Sequence, residues 1–254
     1  MKFQAFAFDA KKTFKASTAA EVDFNRALRK VATMAGHIVE ANVSGAEIKD
    51  NKKMMQQLRE YAELIGPWAK RQSEKLLQQV SNANKRAFKN RSAKLAEGMA
   101  AVSESNVGAV ALSLLFEQVD LIKSLPLEAG LRAQKIAYKN IVEGTRAQPD
   151  KAVVDQLINE MGMSTEVAVN RAKLIARTET ARANAHFTEA RATSVGALKY
   201  RWHSTRQSNS RHSHNKMHGK IVFYNNPPTL SDGTTGHAGT FPNCMCWQEP
   251  IFED

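Results

Sequence analysis

The sequence predicts an α+β protein, α-helical over roughly its N-terminal two-thirds and closed by a small, loop-rich C-terminal α+β unit with a few short strands. Three observations predict it. Large apolar residues recur at three- and four-residue spacing as far as about residue 195. The period then changes to two in LKYRWHS, with Leu198, Tyr200 and Trp202 on one face and Lys199, Arg201 and His203 on the other. From Gly196 onward the chain also holds four of its seven prolines and five of its thirteen glycines.

The elements follow in order. Residues 21–42 put Phe24, Leu28, Val31 and Ala35 on one stripe, and NVSG ends it. Residues 46–65 repeat the spacing with Ile48, Met55, Leu58, Ala62 and Ile65, before Gly66-Pro67 breaks it. The polar stretch 68–100 offers few large apolar residues beyond Trp68, Leu76, Leu77, Val80, Phe88 and Leu95. It predicts an exposed arm, or a helix for a partner's groove, rather than a core helix. An apolar segment, 107–125, is expected to end at Pro126, and a helix over 127–142 to stop at Gly144. Asp150 caps the next helix, which Gly162 ends. Ser164 or Thr165 then caps a longer one to about Val195, with Glu166 near its positive end. KIVFY (220–224) is a second strand candidate, and loops fill the remainder.

The formal charge of +11 is unevenly spread. Residues 70–94 carry Lys70, Arg71, Lys75, Lys85, Arg86, Lys89, Arg91 and Lys94 against Glu74 alone. Residues 171–220 carry eleven basic residues, Arg201, Arg206 and Arg211 among them, against Glu179 and Glu189. Such density suits a polyanion, most simply double-stranded DNA held by non-specific contact. A solvated helix face accounts equally well for the first window. No apolar run is long enough to cross a bilayer, and MKFQAFAFDAKK lacks a signal-peptide core, so the expected setting is the cytoplasmic side with no membrane partner.

Five of the seven histidines and both cysteines fall in the last quarter. In an extended segment the C-x-C of Cys244 and Cys246 turns both sulfurs to one side. Two thiolates so placed can chelate zinc, with His212, His214, His218 and His237 as candidates for the remaining ligands. The competing reading is two small buried side chains beside surface histidines. Asp232 is the one carboxylate between Glu189 and Glu249, which disfavours a hydrolytic metal centre. No nucleophile elbow is present, so the chain is read as non-enzymatic. Arg177 and Glu179, two apart in IARTET, do not face each other on a helix. Each could still order nearby loops through charge-assisted hydrogen bonds, or belong to an ordinary solvated face.

Four stretches in order carry a family resemblance: IKSLP (122–126), IARTET (175–180), SRHSHNKMHGK (210–220) and PNCMC (242–246). With Arg177, Glu179, Trp202, Arg211, His214 and Gly219 at the matching positions, residues 121–254 resemble the phage Mu F-like minor head proteins, the phage head morphogenesis family. Met245 stands where that family usually has arginine, so a role resting on that guanidinium does not carry over. The resemblance implies a family domain, 121–254, while the helical N-terminal region or arm, 1–120, lies outside it and rests on the periodicity alone. It implies a minor capsid protein of the virion head, made in the host cytoplasm, acting at or near the portal vertex with portal and capsid proteins as partners, and aiding DNA delivery. Arg177 and Glu179 would fix the C-terminal loops. The rival is a metal-dependent nuclease acting on phage DNA.

Overall fold

A computed structural model describes residues 14–252 apart from 45–46, 92, 145–150 and 207–209. Helices α1 (Thr18–Ala41), α2 (Asn51–Leu64), α3 (Gly66–Arg91), α4 (Ala93–Gly144) and α5 (Lys151–Ser194) dominate. A short hairpin of β1 (Val43–Ser44) and β2 (Glu47–Ile48) separates α1 from α2. After α5 come β3 (Lys199–His203), α6 (His212–Met217), β4 (Ile221–Phe223) and β5 (Trp247–Ile251). These strands form an antiparallel sheet in the order β4-β3-β5, with Tyr200 opposite Val222 on one side and Pro250 on the other. Pro250 lacks a backbone donor and sits on an outer strand, where the loss is tolerated. The α+β expectation holds.

Several expected boundaries do not. Pro126 lies inside α4 rather than ending a helix. A proline there costs about 3 kcal/mol. Ile122 and Leu125 are fully buried beside it, each worth about 1.5–3 kcal/mol, and outweigh that cost. Gly162 likewise lies within α5, since an interior glycine costs only about 1 kcal/mol. Ser164 and Thr165 are therefore helix-interior rather than caps, and Asp150, the expected cap, lies outside the described residues. Residue 120, the expected domain limit, falls within α4. Nor is α3 an exposed arm. Ala69, Ser73, Leu76, Leu77, Val80, Asn84 and Phe88 are buried at helical spacing along it. Its buried face is small-sided and partly polar, which is why hydropathy alone misreads it. Pro67 sits in its first turn, where a missing N–H costs least.

The described residues gather into two compact units, one from 18–77 with 112–179, the other from 14–17 with 78–111 and 180–252. In the first, Ala35 and Val39 of α1 meet Met54, Met55 and Leu58 of α2 and Ala129 and Ala133 of α4. Gly130 is where α4 approaches α2, since a Cβ there would lie 2.5 Å from Leu58 Cδ1 and 2.7 Å from Met55 Sδ. Asp50 caps α2 by accepting the Lys53 N–H at 2.9 Å.

The second unit holds the sheet. Tyr200, Trp202 and Val222 point into one apolar cluster with Phe14, Phe88, Leu230, Phe241 and Trp247. Phe88 takes Phe14 edge-on at 4.8 Å and Phe252 at 6.5 Å, so residues near both ends of the chain share one core. Beneath lies a buried polar network. Arg191 Nη1 donates to Asn84 Oδ1 at 2.6 Å and Nη2 to Ser81 Oγ at 2.7 Å. Asn84 Nδ2 donates to Thr188 Oγ1 at 2.8 Å and Asn184 Oδ1 at 3.2 Å, and Asn184 Nδ2 donates to the Phe14 carbonyl at 2.7 Å. Arg191 has no exposed surface, and its guanidinium lies over the Phe187 ring.

Candidate functional site

The loop-rich part of the second unit brings three of the predicted ligands together. Trp202 lies on the buried face of β3, and α6 is the next element along the chain. α6 presents His214 inward and His212 outward. The return loop delivers Cys244 and Cys246 just before β5. Asn243 turns that loop with a left-handed φ of 56°. Gly239 stands at φ +88°, where a Cβ would lie 3.0 Å from Ala185 Cβ and 3.1 Å from the Cys246 carbonyl, so the loop can pack this closely on α5 only through glycine.

His214 Nδ1 lies 3.4 Å from Cys244 Sγ and 3.5 Å from Cys246 Sγ. All three side chains are buried, and one ligand atom from each falls within 4.8 Å of the others. The Cys246 N–H donates to Cys244 Sγ at 3.4 Å. Trp202 and Phe241 pack on the imidazole, with centroids 5.9 and 4.9 Å away. The electrostatics of the two thiols are opposed. Cys244 is held well below the ordinary thiol range, chiefly by the hydrogen bond from Cys246 and then by His214. Cys246 is pushed up by the same shared hydrogen bond and by burial. Two buried sulfurs and a ring nitrogen converging on one point can share a proton or hold a thiophilic cation.

The other candidates go elsewhere. His212 is exposed. His218 lies just past α6, where its Nδ1 accepts the Ser204 N–H at 3.1 Å and its ring meets that of His203. His237 Nδ1 accepts from the Tyr200 hydroxyl at 3.1 Å, and that oxygen in turn accepts the Ala238 N–H. None of these three joins the His214 group. Asp232 holds its own loop, accepting from Thr234 and Ser213 at 2.6 and 2.7 Å, contacts that keep its carboxyl below the usual range. Of the family-motif residues, Gly219 turns at φ +81° and donates its N–H to the Trp202 carbonyl at 2.8 Å. Arg211 reaches the Pro242 carbonyl at 3.1 Å, tying α6 to the cysteine loop. In the other unit, Arg177 Nε lies 3.5 Å from Glu21 of α1, and Glu179 is buried on α5.

Among the DNA candidates, Lys70, Arg71, Lys85, Arg86 and Lys89 are exposed on α3. The side chains of Arg91 and Lys94 lie outside the described residues. Arg201 and Arg206 are exposed, Arg201 reaching the Gly219 carbonyl at 3.1 Å. Sequence reasoning missed the Arg191 network and the His203–Glu249 pair. In the latter, Nε2 and Oε2 are 2.6 Å apart and His203 stacks on Trp247 at 5.1 Å.

Burial lowers His237 below its ordinary 6.5, and burial with the charge of Arg206 lowers His218. A histidine depressed in the folded state is protonated first in the unfolded chain, so its effect is absent above 6.5 and destabilising as pH falls below it. We expect the melting temperature to drop between roughly pH 7 and pH 5, and His237→Gln to flatten that drop. Identical pH profiles for the two proteins would contradict this assignment.

Residues 132–249, a little under half of the chain, match the model of a family described as phage Mu protein F like protein. A relative from Haemophilus influenzae, named only as an uncharacterized protein, is 33% identical over 136 residues. The alignment covers 54% of this chain and 28% of that longer relative. No solved structure matches the chain. Among the described residues, no helix is long and apolar enough to cross a membrane.

Proposed function

We propose, from the match of residues 132–249 to the phage Mu F-like family model, that the protein is a member of that family and a minor component of the phage head acting in head morphogenesis at the portal vertex. The family match is the observation that carries this reading. The role is structural rather than catalytic, with portal and capsid proteins as partners and the virion head as its location after assembly in the host cytoplasm. The test is genetic and compositional. Deleting the protein from its phage is expected to reduce the yield of infectious particles, with the wild-type chain recovered at low copy from purified heads. Heads that lack the chain and infect normally without it would overturn the reading.

DNA contact is the finer part of the proposal. Lys85, Arg86 and Lys89 of α3 are exposed within the sheet-bearing unit, and their helical spacing supports a stripe that can follow a phosphate backbone. If each releases one counterion, log K should fall with log salt at a slope of about −3. Replacing Lys85, Arg86 and Lys89 with glutamine should remove most of that salt dependence and weaken binding uniformly across sequences. Binding that is unchanged between low and moderate salt would remove DNA from the proposal and leave the cations as a solvated face.

A further inference from the structure

We propose that His214, Cys244 and Cys246 form a structural zinc site that staples the C-terminal loops to the sheet. The first support is distance. Zinc bonds of about 2.3 Å to sulfur and 2.0–2.1 Å to nitrogen, at tetrahedral angles, put N and S about 3.6 Å apart. The two observed separations are 3.4 and 3.5 Å, so the ligand atoms already lie near two edges of that tetrahedron. The second is donor chemistry. Two thiolates and an imidazole suit zinc, whereas magnesium, calcium and manganese prefer oxygen.

Burial is the third. The three residues are 3%, 4% and 8% exposed, inside a wall that includes Trp202 and Phe241. That enclosure favours a permanent ion over one that turns over substrate. It also makes the bare cluster costly, because polar atoms withdrawn from water need partners. The geometry around the ligands fits the same role. The Cys246 N–H pointing at Cys244 Sγ neutralises part of a thiolate's charge, as outer groups around metal sites do. His214 Nε2 is buried with no hydrogen-bond partner among the described residues, so aromatic packing on the ring fixes its aim at the sulfurs.

The ligands come from two loops that regular structure holds poorly. His214 lies on a helix of six residues, and the cysteines end a long return loop. One ion would join α6, that loop and the start of β5, the tie that Arg211 makes only at the surface. No fourth His, Cys, Asp or Glu joins the group among the described residues, so these residues supply three of the four positions of a tetrahedral site. Of the six candidates named from sequence, three remain.

The test uses the full chain, free of any histidine tag, loaded with zinc and then desalted. About one zinc per chain is expected, and none in Cys244→Ser or Cys246→Ser. His212→Ala, His218→Ala and His237→Ala should bind as the wild type does. Cobalt in place of zinc should give the visible bands of a tetrahedral site and a near-ultraviolet sulfur-to-metal band. His214→Cys, which keeps a ligand at that position, should retain metal with a stronger sulfur band. If the serine variants do not fold, the wild-type cobalt spectrum and His214→Cys decide the matter. Folded wild-type protein without stoichiometric metal, or an octahedral cobalt spectrum with no sulfur band, would overturn the site. So would loss of metal in an outer histidine variant alone.

Discussion

Replacing Trp202 with alanine is expected to destabilise the sheet-bearing unit by about 3–5 kcal/mol, the range for emptying a buried indole site. Trp202 is fully buried, the largest side chain at the centre of that core, and lies 5.9 Å edge-on to His214 and 6.4 Å from Phe241. No neighbour can fill the space without giving up its own contacts, so the site should collapse poorly. The loss should therefore exceed that of Trp202→Phe, which keeps a ring against Phe241. Urea unfolding followed by near-ultraviolet circular dichroism measures both. A Trp202→Ala cost under about 1 kcal/mol would show that the cluster is not what holds the unit together.

The second large effect belongs to Arg191. Its guanidinium is buried and donates to Asn84 and Ser81, so Arg191→Ala removes two charge-assisted bonds and leaves a buried amide oxygen without its donor. Hydrogen bonds to charged groups are worth about 1.5–3 kcal/mol each, and the total should reach about 3–5 kcal/mol. Arg191→Lys should recover less than half, since one ammonium cannot reproduce a planar fork aimed at two acceptors. A double-mutant cycle with Asn84→Ala provides the check. A coupling of more than about 1 kcal/mol is expected, and additive losses would mean that the two residues act separately.

These two residues also mark what was legible in the sequence. Trp202 announced itself, because alternation in LKYRWHS puts it with Tyr200 on the buried face of β3, although Leu198, expected on that face, precedes the strand and is exposed. Arg191 did not. Asn184, Thr188 and Arg191 share one face of α5 at helical spacing, and nothing local distinguishes them from a solvated stripe. Their partner Asn84 lies 100 or more residues away, on a helix that itself read as polar and exposed. The alanines at 181, 183, 185 and 192 were the available signal, since small side chains interleaved with polar ones mark a face that is approached closely.

The candidate site was half legible for a related reason. The C-x-C spacing brings its two sulfurs together by local geometry alone. Choosing among four histidines was a tertiary question. Three of them sit within seven residues of one another, and the single helical turn of α6 decides that His214 turns inward while His212 does not. The breaks expected at Pro126 and Gly162 failed because local penalties of about 1–3 kcal/mol yield to packing.

Phe14, Phe88 and Phe252 meeting in one core has a consequence for how the protein is made. At about 5–20 residues per second, the ribosome needs roughly 12–50 s to travel from the first of these rings to the last. Throughout that interval the nascent chain displays Phe14, Tyr200 and Trp202 in turn with no finished core to receive them. The sheet-bearing unit can close only after β5 emerges, through contacts whose sequence separation makes closure slow. The emerging chain is thus a natural client for chaperones, and removing β5 should yield an aggregation-prone product rather than a smaller folded one.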